Sequence, residues 1–91
     1  MTAKTADITV IKVMAIFLVP DSGLIQTGTL LSGELNVKHN GNGLVYEVVK
    51  ASCNTERGYW YANHRNWIIF ARFADQVLAE FEMAATRIEV E

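Results

Sequence analysis

The sequence predicts an α+β domain: an antiparallel sheet of four to five strands with one long C-terminal helix packed on one face. Three observations carry this. Residues 8–18 are dense in Ile and Val. Residues 33–51 set two Asn-Gly steps, Asn40-Gly41 and Asn42-Gly43, between two apolar-rich arms. From Phe70 onward, apolar side chains recur at helical spacing.

Met1–Ala6 reads as a loose tail ahead of the first element. Ile8–Leu18 is rich in β-branched residues, which favour a pleated, buried surface. The run alternates little, which suits a strand covered on both faces, although periodicity alone also admits a buried helix. Val19 precedes Pro20 and is pushed towards extended geometry, and Pro20-Asp21-Ser22-Gly23 makes a turn. Leu24–Ser32 favours a strand, but Gly28 and Gly33 mark it as bent or broken.

The strongest short signal is the hairpin. Asn and Gly tolerate the positive φ of a type I′ turn; with the turn at Gly41-Asn42, Leu35, Val37 and His39 face Val48, Tyr46 and Leu44, and with the turn at Asn42-Gly43 the pairing moves by two while the same residues keep to the same face. Asn54–Gly58 reads as a polar turn, and Tyr59-Trp60-Tyr61 as a short edge strand. Phe70, Ala74, Val77, Leu78, Phe81, Ala85 and Ile88 form one helical stripe, which predicts a helix from Asn66 to Ile88 capped by Asn63 or Asn66. A rival reading pairs Trp67–Phe73 as a strand with Tyr59–Ala62 and starts the helix near Ala74.

Ninety-one residues make a single domain, 1–91, with a modest interior. Yet 51% of the chain is hydrophobic, more than a small body readily hides. That excess predicts a homo-oligomer, most simply a dimer, or a protein partner covering apolar surface. A net charge of −2 provides no basic field for nucleic acid. The single cysteine, Cys53, excludes an internal disulfide and is compatible with a reducing cytoplasm. The apolar run at residues 8–19 is too short to span a bilayer and is interrupted by Lys12, so a soluble protein with no membrane association is expected.

Four constellations bear on function. Cys53 with His39 or His64 has the residue types of a thiol nucleophile and base but no local signature, and a lone cysteine usually packs as a small apolar residue. His39, His64, Glu47 and Glu56 lack metal-ligand spacing, so no metal or cofactor is expected. The densest cluster is Arg57, Tyr59, Trp60, Tyr61, His64, Arg65 and Trp67. Rings and arginines of this kind dominate binding hot spots, and they also stack single-stranded bases, but they equally fill cores. Last, Glu80, Glu82, Glu89 and Glu91 make an acidic end, which reads as a solvated face or a docking surface for a basic partner.

These readings converge on a non-enzymatic interaction module that self-associates or binds a protein. Its contact surface would be Ile8–Leu18 or Tyr59–Trp67. The alternative is a small-ligand-binding domain or enzyme, with a pocket between sheet and helix lined by Tyr46, Tyr61, Trp60, His39 and His64.

Overall fold

The computed structural model describes residues 10–41 and 43–88. Met1–Ala6, Ile8, Thr9, Asn42, Glu89 and Glu91, which enter the expectations above, lie outside them. The described chain runs β1 (Val10–Val19), β2 (Gly23–Leu30), β3 (Leu35–Gly41), α1 (Gly43–Ser52), β4 (Gly58–Tyr61) and β5 (Asn66–Ile69). A single 3₁₀ turn at Ala71–Phe73 leads into α2 (Ala74–Ala84), and β6 (Thr86–Ile88) follows. The α+β class holds, with one antiparallel sheet in the order β4-β5-β3-β2-β1-β6. Among the described residues the sheet has six strands rather than four to five, and there are two α-helices rather than one long one.

The first three strands form a meander. Val19 pairs with Gly23 across the Pro20–Ser22 turn, which closes when Ser22 N–H donates to the Val19 carbonyl at 2.9 Å. Gly23 in turn faces Gly41 on β3. A Cβ on either would run into backbone of the opposite strand, and Gly41 sits at φ +120°, so both positions demand glycine. β2 runs unbroken through Gly28. The ladder shifts instead between Val13 and Ala15 on β1, opposite Gly28 and Thr27. The buried Thr27 hydroxyl donates to the Ala15 carbonyl at 2.7 Å, which satisfies both groups.

The expected hairpin is a correction. Asn40-Gly41 ends β3, but the chain then winds into α1 rather than a second strand. Leu35, Val37 and His39 pair instead with Thr29, Thr27 and Ile25 of β2. The second arm is a helix because Val45 and Val49 are one turn apart and both fully buried, with Ser52 and Cys53 continuing the stripe. A strand would have placed Val45 and Val49 on one face and Val48 on the other, with no second layer to cover both.

The helix expected from Asn66 is the second correction. Asn66–Ile69 is strand β5, and α2 begins at Ala74. Ile68 and Ile69 are both fully buried although adjacent, which a strand between two sheltered surfaces permits. Neither Asn63 nor Asn66 caps a helix. Asn66 is buried in the sheet, its amide donating to the Asn36 side chain. The α2 boundary residue Phe73 makes no side-chain cap, and Asp75 in the first turn complements the helix dipole.

Strand alternation sorts the two faces. Phe17, Ile25, Val37 and Ile69 point to the helix side and join Val45, Val49, Val77 and Phe81 in one core. Phe17 and Phe81 meet edge to face, 5.6 Å between centroids, a favoured aromatic geometry. α1 lies over β3 and β2, and α2 lies beside it over β1. Among the described residues no helix covers the other face, which carries Ile16, Leu18, Leu24 and Ile88 at the β6–β1–β2 corner. No described helix is long and apolar enough to cross a membrane.

Candidate functional site

The cluster predicted between Arg57 and Trp67 does not form one patch. β4 and β5 pair Trp60 with Trp67, Tyr59 with Ile68 and Tyr61 with Asn66. Because Trp67 also pairs with the core residue Val37, both tryptophans lie on the helix side, 6.0 Å apart and edge to face. Tyr59 and Tyr61 point the opposite way. Tyr59 is flanked by Phe70, and its hydroxyl pKa is raised by burial and by the Glu34 charge. Tyr61 leans on His64 in the loop, 5.1 Å between rings. Arg65, exposed at φ +55°, closes that loop.

Arg57 belongs elsewhere. The Asn54 side chain accepts from the Glu56 and Arg57 backbone N–H groups at 3.0 and 3.2 Å, fixing the turn into β4. The Arg57 guanidinium then reaches across α1 to α2. It donates to both Glu80 carboxylate oxygens at 2.8 and 3.2 Å and to the Ser52 carbonyl at 2.9 Å. The Ser52 hydroxyl adds a 2.7 Å bond to Glu80. Such bidentate, charge-assisted pairing is geometrically specific. It holds the Glu80 carboxyl down at about 2, chiefly through the Arg57 hydrogen bonds and then that of Ser52.

Cys53 is buried beside this network, and burial pushes its thiol up to about 12. The protonated thiol is therefore the favoured form at neutral pH. His39 lies half-buried with its ring 6.1 Å from that of Tyr46, whose other neighbour is the Lys50 ammonium, 5.7 Å from the ring centre. Burial lowers the His39 pKa, and its Nδ1 has no hydrogen-bond partner. Among the described residues no three His, Cys, Asp or Glu side chains gather as a metal site.

Among the described residues a concavity lies between the helices, and sequence reasoning missed it. It is a groove of about 460 Å³ between α1 and α2, lined by Glu47, Val48, Ala51 and Ser52 from one helix and Glu80, Met83 and Ala84 from the other. None of Tyr46, Tyr61, Trp60, His39 or His64, expected to line a pocket, borders it. The signal existed: Glu47, Val48 and Ala51 follow helical spacing, as do Glu80, Met83 and Ala84. It was invisible while residues 44–51 were read as a strand.

No protein-family model, no curated protein and no solved structure matches this chain.

Proposed function

We propose that this chain is a small non-enzymatic interaction module that self-associates or binds a protein partner through apolar and aromatic surface. One observation carries the reading. With the core filled, large apolar side chains remain exposed on separate surfaces: Leu18 and Ile88 on the outer face of the sheet, Tyr59 and Trp60 on opposite faces of β4, and Leu44 and Met83 on the helices. Scattered single apolar residues are ordinary on a monomer, whereas groups of them mark contact sites. Burial of Cys53 and its raised thiol pKa support a packing role for it rather than a nucleophilic one. The lone, buried cysteine also supports a cytoplasmic setting as part of the proposal.

Light scattering coupled to size exclusion, run from micromolar to millimolar protein, tests the reading. Mass rising above the 10.2 kDa of one chain supports self-association. A constant 10.2 kDa across that range counts against it.

A further inference from the structure

We infer that the α1–α2 groove is the seam at which a second copy of this chain docks, with Met83 of each copy entering the groove of the other. The inference rests on the self-association reading above and names its surface.

The argument starts from shape. Met83 is the most exposed large apolar side chain in the described structure, at 89%. It lines the groove together with the smaller Val48, Ala51 and Ala84, and with Glu47, Ser52 and Glu80. An exposed apolar knob beside a groove whose apolar lining is otherwise small is self-complementary: a two-fold rotation brings each knob over the other groove. Methionine suits this role because its unbranched thioether adapts to an irregular cavity. The alanines let helices approach closely.

Charge selects the second copy over a charged stranger. Glu80 is held by Arg57 and Glu82 by Arg87, at 2.8 and 2.6 Å. On α1, Glu47 and Lys50 are both exposed and one turn apart. No net field at the groove favours a strongly cationic or anionic partner, while two α1 helices crossing antiparallel would set Glu47 of one copy against Lys50 of the other. The groove is also preformed. Ser52, Glu80 and Arg57 bolt α1 to α2, so docking pays little to order its lining.

Size predicts the strength. Two helices, each about 15 Å long and about 10 Å wide, offer roughly 300 Å² in projection per copy. Doubled, this lies below the roughly 1,200 Å² of standard stable interfaces, so the dimer belongs with weak, concentration-dependent contacts.

The test compares the full chain with Met83→Glu, Ala51→Arg and Leu18→Glu by sedimentation equilibrium, with a thermal melt of each. Met83→Glu removes the knob, Ala51→Arg fills the groove, and Leu18→Glu charges the sheet surface away from the seam. The first two are expected to weaken dimerisation roughly tenfold or more with unchanged melts, and Leu18→Glu to leave it intact. If Met83→Glu or Ala51→Arg dimerises as the parent does, or Leu18→Glu abolishes association, the seam is wrong while self-association stands. If the parent chain stays monomeric to millimolar concentration, the underlying reading fails as well.

Discussion

Phe17 and Leu18 are neighbours on β1 and live in different surroundings. Phe17 points to the helices and is 0% exposed, while Leu18 points the other way and is 38% exposed. The same contrast separates Ile25 from Leu24 on β2. One face of the sheet is closed by side chains from both helices. The corner where β6, β1 and β2 meet on the other face keeps aliphatic surface in contact with water. The difference teaches that hydrophobic content alone does not report stability: of two apolar side chains one residue apart, one is enclosed in the core and the other stays in water.

The sharpest way to break that contrast is to empty the closed face. Phe17→Ala or Phe81→Ala is expected to cost about 3–5 kcal/mol, because each ring is fully buried and its partner ring cannot follow it into the hole. Urea melts with the midpoint and slope both recorded check this. A loss below about 1 kcal/mol would mean that the helix layer is loosely packed.

Adding atoms at the sheet's far end comes next. A Cβ at Gly58 would collide with the Ile68 carbonyl oxygen, so Gly58→Ala is expected to cost about 1–3 kcal/mol and to shift amide signals across β4 and β5.

The staple between the helices tests whether polar contacts share in closing that face. Glu80→Gln is expected to cost no more than about 1 kcal/mol, since the carboxylate remains partly solvated. Its pH signature is more telling. Glu80 releases its proton more readily folded than unfolded, so its contribution is whole above the ordinary 4.5 and is lost as pH falls through about 2. The parent should lose stability across that window more steeply than Glu80→Gln. His39 acts in a different window with the same sign. Burial keeps its folded pKa below 6.5, so the unfolded chain binds the proton first and stability declines as pH drops beneath 6.5. Replacing His39 by Leu should flatten that limb in melts taken between pH 7 and the acid range.

The smallest effect is expected at the exposed neighbour. Leu18→Ala should change monomer stability by no more than about 0.5 kcal/mol, and a cost rivalling that of Phe17→Ala would erase the distinction between the faces.

Much of this arrangement was legible in the chain, for identifiable reasons. Pro20-Asp21-Ser22-Gly23 announced its turn, and the Ile/Val run before it formed β1. Tyr59-Trp60-Tyr61 did become an edge strand. The rival reading of Trp67–Phe73 came close, with β5 ending at Ile69 and α2 starting at Ala74. What misled was local propensity. Valines at 45, 48 and 49 look like strand residues, but their burial follows a helical stripe, and packing against the sheet overrode the preference. Asn40-Gly41 signalled a change of direction correctly without revealing which element followed. The aromatic cluster was visible as composition. Its division between two faces was not, because alternation becomes readable only once β4 and β5 are known to be strands. The groove depends on two helices, and the local propensity of residues 44–51 favours a strand for one of them.

The strand order has a consequence for how the molecule is made. β1 is synthesised first among the described strands, yet its outer neighbour β6 comes from residues 86–88, some seventy positions later. On the ribosome, an emerging chain therefore carries an unsealed aliphatic edge on β1 until residues 86–88 emerge. Its final neighbour arrives only after both helices have been threaded out. Nascent chains halted before residue 86 should be the ones that chaperones hold longest.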